Sequence, residues 1–259
     1  PHADSSDFTA DGDYIVCVQL NDNAGNPPAY GSSPTIKLKT SLPVFQALPL
    51  VGEASDGYIN ANDKLLSNPL AGPLAATLYD QAEYKLVPST TTCDSALVYG
   101  SLPNNDSADF GADSTYKICV KLTDTAGNDP TYAQGPSVEL KVTPPAFNSL
   151  ALSGDAADTY INAAEKLLTN PLAGSISGSA YDQAYYKLVA DGTACDANLV
   201  YGNMPVANST AFGADGDYRV CAKLTDLAGN PAAYGSSPVI PLKTTAPVFQ
   251  SLQRAGDAA

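Results

Sequence analysis

The sequence predicts an all-β protein built as tandem β-sandwiches, with about seven strands in each repeat of 102 residues. Three observations carry this. Proline and glycine are both frequent, at 20 each, while methionine occurs once and tryptophan never, a mix that favours short strands joined by many turns. The chain also repeats itself. VCVQLNDNAGN (Val16 to Asn26) returns as ICVKLTDTAGN (Ile118 to Asn128) and again as VCAKLTDLAGN (Val220 to Asn230). Finally, these segments alternate with period two, which is the signature of a half-buried strand.

The spacing is constant. Cys17, Cys119 and Cys221 follow one another at 102 residues, as do Tyr58 and Tyr160 in YINANDKLLSNPLAG and YINAAEKLLTNPLAG. A unit of this length is a whole small domain rather than a solenoid repeat. Phe45, Phe147 and Phe249 open equivalent units. The chain therefore reads as the last part of one repeat (1–44), two full repeats (45–146 and 147–248), and the first strand of a further one (249–259). Both ends are expected to fall inside a repeat, with the polypeptide continuing or neighbouring copies supplying the rest.

Within the second full repeat, strands are expected at Ala146–Leu152, Leu172–Ala180, Ala184–Ala190, Asn198–Tyr201, Ser209–Phe212, Asp217–Asp226 and Pro238–Lys243. The acidic YINAAEK turn follows the first, and LLTNPLAG has room for one turn of helix. In the clearest strand Tyr218, Val220, Ala222 and Leu224 share the inner face. Arg219, Cys221 and Lys223 share the other, so the cysteine is expected on the solvent side. The equivalent inner set is Tyr116, Ile118, Val120 and Leu122. The inner tyrosines follow an Asp-x-x-Tyr pattern (Asp11 to Tyr14, Asp113 to Tyr116, Asp215 to Tyr218). This matches the tyrosine corner of immunoglobulin-like sandwiches.

Five cysteines look like an odd set until they are placed on the repeat. Cys93 and Cys119 are 26 residues apart, as are Cys195 and Cys221, and the partner of Cys17 would precede residue 1. Two disulfides are expected, with Cys17 left unpaired by truncation. With no histidine inside the full repeats, zinc is a poor reading of these thiols. Recurrent disulfides point to an extracellular or cell-surface location.

Composition also excludes functions. Asp and Glu number 27 against 13 Lys and Arg, a net charge of −14, which argues against nucleic acid and anionic lipid as partners. No apolar run reaches the length of a membrane span. The single histidine, His2, lies outside both full repeats, so no repeated Ser-His-Asp or Cys-His set exists. No glycine-rich phosphate loop is present. The chain is not expected to be an enzyme.

The early motif Asp158, Ile161, Asn162, Glu165, with its counterpart Asp56, Ile59, Asn60, Asp63, and the late Asp-x-Ala-Gly-Asn loop resemble those of tandem immunoglobulin-like repeats in large bacterial surface adhesins. The biofilm-associated-protein type and the extender regions of repeats-in-toxin adhesins are the examples. Here both copies carry one extra residue between the first acid and the isoleucine, and family members usually lack the cysteine pair. The resemblance implies a stalk, spacer or fibre stiffened by calcium at or near its junctions, the one cofactor implied. Candidate oxygen ligands are Asp56, Asn60, Asp63, Asp158, Asn162, Glu165, Asp124, Asn128, Asp182, Asp226 and Asn230. The up-and-down order would bring Asp56 and Asp63 of one repeat towards Asp182, Asp226 or Asn230 of the next. The competing reading makes the same residues caps of their own turns. Short joints such as Thr143-Pro144-Pro145 and Thr245-Ala246-Pro247 would limit bending.

The partners implied are neighbouring repeats, other copies in a fibre, or a host surface ligand. The alternatives are a glycan- or ligand-binding module, with Tyr30, Tyr132 and Tyr234 as stacking surfaces, and a self-assembling extracellular filament subunit.

Overall fold

The computed structural model describes residues 5–251. It comprises two compact units, Pro1–Leu140 and Lys141–Ala259. The first contains β1 (Gly12–Tyr14), β2 (Cys17–Leu20), β3 (Ala29–Ser32), β4 (Ile36–Leu38), β5 (Val44–Ala47), β6 (Tyr58–Ile59), β7 (Ala75–Thr77), β8 (Gln81–Pro88), β9 (Ser114–Thr123) and β10 (Thr131–Leu140). The second contains β11 (Ala146–Leu152), β12 (Ile161–Asn162), β13 (Ala173–Ser179), β14 (Gln183–Ala190), β15 (Gly216–Thr225), β16 (Ala233–Ser236) and β17 (Ile240–Lys243).

In the second unit β11 pairs with β13, and the larger sheet runs β12-β17-β15-β14 with β16 also on β15. Only β12 and β17 run parallel. Both sheets feed one core. Leu150 comes from β11, Ala173 from β13, Leu188 from β14, Val220 and Ala222 from β15, and Ile240 and Leu242 from β17. Phe147 of β11 lies against Gly235 of β16, where a Cβ would fall 2.0 Å from the ring. The first unit repeats the plan, with β5-β7 as one sheet and β6-β10-β9-β8 as the other. These are immunoglobulin-like β-sandwiches. They form because alternate residues of β9 and β15 are apolar and must leave water.

Preceding the first full sandwich, β1 pairs with β4 and β2 with β3. Val18 and Leu20 there are 49 % and 63 % exposed, whereas their repeat counterparts Val120 and Leu122 are fully buried.

Seven strands build the second repeat, but not the seven expected. Asn198–Tyr201 is a turn, because the Asp196 carboxylate accepts the Asn198 amide at 2.9 Å. Only Gly202 bridges to Tyr186. Ser209–Phe212 is likewise a turn, with the Ser209 hydroxyl accepting from the Ala211 amide. Local side-chain bonding outcompeted strand pairing at both places. In their stead stand β12 and β16, each too short to show a period. Single turns of 3-10 helix at Gly154–Asp158 and Glu165–Leu167 bracket β12. Of the expected first strand at 249–259, residues 249–251 form no strand and the remainder lies outside the described residues, as does His2.

The tyrosine corner is present in all three copies. The Tyr218 hydroxyl donates to the Ala214 carbonyl at 2.8 Å and accepts the Gly213 amide at 2.9 Å. Tyr116 does the same with Ala112 and Gly111, and the Tyr14 hydroxyl donates to the Ala10 carbonyl. Each ring also meets a phenylalanine edge-on, as in Phe212–Tyr218 with centroids 4.9 Å apart.

Candidate functional site

Cys93 is bonded to Cys119 and Cys195 to Cys221, each pair with Cα atoms 5.4 Å apart. Cys17 is free and exposed. The expected solvent side of β9 and β15 is not wet at these positions: Cys119 and Cys221 are fully buried, and Lys117 beside Cys119 is only 6 % exposed. The reason is the long connection after β8 and β14. It is drawn back over the sheet by the disulfide and by the Gly100–Tyr84 and Gly202–Tyr186 bridges. Tyr99 then packs on Tyr132 at 5.7 Å between ring centroids, and Tyr201 on Tyr234 at 5.8 Å. Two of the three tyrosines considered as stacking surfaces are thereby half-buried, while Tyr30 is 75 % exposed.

The early acids close their own turns. The Asn60 carboxamide oxygen accepts the Asn62 and Asp63 amides at 2.8 and 3.0 Å, and the Asp63 carboxylate accepts the Asn60 amide at 3.1 Å. This is a reciprocal capping box. Asn162 and Glu165 form the same box in the second unit. The extra methylene of Glu165 over Asp63 is accommodated without change of partner. Asp56 and Asp158 each accept the amide two residues on, from Tyr58 and Tyr160, as Asx turns do.

The late loop is also closed on itself. One Asp124 oxygen accepts the Ala126, Gly127 and Asn128 amides, and the other accepts from the Asn128 side chain at 2.7 Å. Gly127 sits at φ +86°, where a side chain would be strained. Asp226 holds Asn230 in the same way, and Asp22 holds Asn26. Asn128 and Asn230 then reach further. Asn128 Nδ2 donates to the Lys39 carbonyl at 3.1 Å, and Asn230 Nδ2 to the Lys141 carbonyl at 2.7 Å.

Those two lysines complete the arrangement. Lys39 Nζ lies 2.6 Å from Asp80, and Lys141 Nζ lies 2.5 Å from Asp182. The Asp80 oxygen also accepts the Thr125 amide and hydroxyl, and Asp182 accepts the Leu227 amide. The Lys39 ammonium, first among these partners, holds Asp80 at a pKa of about 2, and Lys141 lowers Asp182 in the same sense. Beyond Lys39 the corner acid takes over. Asp11 accepts the Thr40 hydroxyl and amide and the Ser41 amide, which lowers its pKa to about 2. Asp215 makes the same bonds to Thr244 and Thr245 and is lowered further.

Calcium is bound by six to eight oxygens, with carboxylates prominent. Among the described residues no three His, Cys, Asp or Glu side chains lie together to hold a metal ion. The candidate carboxylates are instead answered by amide N–H groups and, at Asp182, by a lysine. As folded, this donor set does not make a cation cage. Lys39 and Lys141 were not singled out in the sequence. Their recurrence at 102 residues, with Lys243 third, was the available signal.

These depressed carboxylates make stability depend on acid. A carboxylate whose pKa is lowered by folding stabilises above its unfolded value of about 4 and loses that contribution as pH falls towards its folded value. Asp11, Asp22, Asp80, Asp124, Asp182 and Asp215 all shift this way. Urea midpoints are therefore expected to be flat from pH 7 to 5 and to fall between about pH 4 and 2. A midpoint that holds constant to pH 2 would contradict the carboxylate network.

Fold and loops together define a tandem array of disulfide-stapled immunoglobulin-like modules. No protein-family model matches the chain, and no curated protein matches it. Solved structures with similarity include Drosophila N-cadherin EC1-4, at 16 % identity and a TM-score of 0.31, covering 92 % of this chain and 59 % of that one. The protocadherin gammaB7 EC3-6 cis-dimer gives 16 % identity and a TM-score of 0.34, covering 89 % and 59 %. A Ca2+-stabilised adhesin with which an Antarctic bacterium binds ice gives 20 % and 0.31, covering 91 % and 58 %. The chain thus spans about three-fifths of the length of each of these.

Proposed function

We propose that this chain is a structural repeat segment of an extracellular surface protein. It serves as the stalk or spacer of an adhesin of the bacterial immunoglobulin-like repeat type, without catalytic activity. One observation carries the reading. In the first unit the connection from Lys39 to Pro43 is pinned along its length. Asp11 holds Thr40 and Ser41, Asn128 holds the Lys39 carbonyl, Asp80 holds its ammonium, and the Thr131 hydroxyl donates to the Pro43 carbonyl at 2.6 Å. A joint with that many bonds is built to transmit position and force from repeat to repeat. The domain boundaries 45–146 and 147–248 follow the same reading, as do secretion and the neighbouring repeats as first partners.

The stapled outer face suits the role, because the disulfide ties the longest connection of each module to its central strand. Removing whole repeats from the full-length surface protein should weaken attachment of cells while leaving the affinity of the adhesive tip unchanged. The isolated segment should show no binding on a glycan array. Binding by the isolated segment would move the assignment to the ligand-binding alternative. That alternative has a foothold in the cleft of about 400 Å³ lined by Tyr84, Lys85, Tyr99 and Asp109. Filaments formed by the purified segment alone would instead favour the self-assembling subunit.

A further inference from the structure

We infer that the joint at the head of each repeat is closed by a lysine of the preceding strand, in the place where a divalent cation would otherwise be needed. The socket has three parts, and the two full repeats share them. Asp80 and Asp182 receive the ammonium. Asn128 and Asn230 receive the carbonyl of the same lysine, at 3.1 and 2.7 Å. Asp124 and Asp226 orient those asparagines by accepting their other N–H, at 2.7 and 2.8 Å. This gives the Asp-x-Ala-Gly-Asn loop a purpose beyond its own turn: the aspartate aims the asparagine, and the asparagine grips the incoming backbone.

The presentation of the acid is itself constrained. Leu78 and Ala180, each two residues before its socket aspartate, occupy the left-handed region at φ 62° and 56°. Non-glycine residues persist there only where surrounding structure fixes them, and such strain gathers at functional turns.

A lysine does part of what a bound cation would do here. It neutralises an acid beside a polar loop, and it is covalently part of the preceding repeat, so its position is never lost by dilution or chelation. The segment should accordingly hold its joints without calcium. The inference deepens the spacer reading and rests on it for its purpose, but the experiment reads the clamp alone, whatever the segment does.

Hydrogen exchange on the whole segment tests it, in calcium chloride and in chelator, for the parent and for Lys39→Met with Lys141→Met. Asp80→Asn with Asp182→Asn serves as a second variant. The parent should exchange identically in both buffers. In both variants peptides spanning 39–47 and 124–131, and 141–147 and 226–233, should exchange faster by about two- to fivefold, the size set by a partly exposed ion pair. Amides of β9 and β15 should stay protected, showing that the sandwiches remain folded. Joint protection that disappears on chelation in the parent would overturn the inference in favour of a metal. Unchanged exchange in both variants would overturn it as well.

Discussion

Replacing Cys93 and Cys119 together by alanine is expected to destabilise the first full repeat by about 3.5 kcal/mol, the chain-entropy value for a loop of this size. The bridge spans 26 residues, most of them in the irregular connection between β8 and β9 and the rest in the first half of β9. Reduced, the part of that connection nearest Cys93 keeps few anchors, namely the Gly100–Tyr84 bridge, the Tyr99 ring on Tyr132 and turn bonds at Asp94. Its later part stays tied down by the Lys85–Asp109 ion pair, the Lys64 bond to the Ser107 carbonyl, the Asn104–Pro69 bridge and the buried Phe110. Cys119 is also fully buried, so its truncation adds a small packing loss. A single domain holds only about 5–15 kcal/mol in all, so this is a large fraction. The urea midpoint of the first unit should fall accordingly. The second unit, with its own bridge at Cys195–Cys221, supplies the reference transition. A loss below about 1 kcal/mol, within the observed range for such bridges, would show the connection held by its local contacts instead.

Much of this was legible in the chain, and the reasons differ by element. The long strands β9 and β15 were readable because their inner residues keep period two over the seven positions from the tyrosine to the leucine. The tyrosine corners were readable because Asp-x-x-Tyr recurs with the repeat. What the sequence concealed was cover. Alternation assigned Cys119 and Cys221 to the outer face correctly, but it carries no information on what lies above that face. The covering connection is the irregular segment that leads into each strand, and beneath it both cysteines are completely buried. The strands expected at Asn198–Tyr201 and Ser209–Phe212 failed for a local reason, since Asp196 and Ser209 bond neighbouring amides and hold turns. Among the candidate ligands, capping and metal binding ask for the same residue types at similar spacing. Only the direction of the amides separates them, and that is a property of the fold.

Tyr218→Phe is expected to cost about 1–3 kcal/mol, although it removes a single oxygen. The ring stays, so its edge-on contact with Phe212 and its place in the core are retained. What is lost is a two-way bond in a half-buried corner. The hydroxyl accepts the Gly213 amide at 2.9 Å and donates to the Ala214 carbonyl at 2.8 Å. Phenylalanine leaves one donor and one acceptor without partners in a place where the ring excludes water, and that desolvation sets the size of the effect. The same corner places Asp215, three residues before the tyrosine, where it takes the amides of Thr244 and Thr245. Loosening the corner should therefore also weaken the exit from β17, and exchange at residues 244 and 245 should rise together with the loss of stability. A loss below about 0.5 kcal/mol would mean that the corner hydroxyl contributes nothing through burial, and that the ring alone accounts for its recurrence.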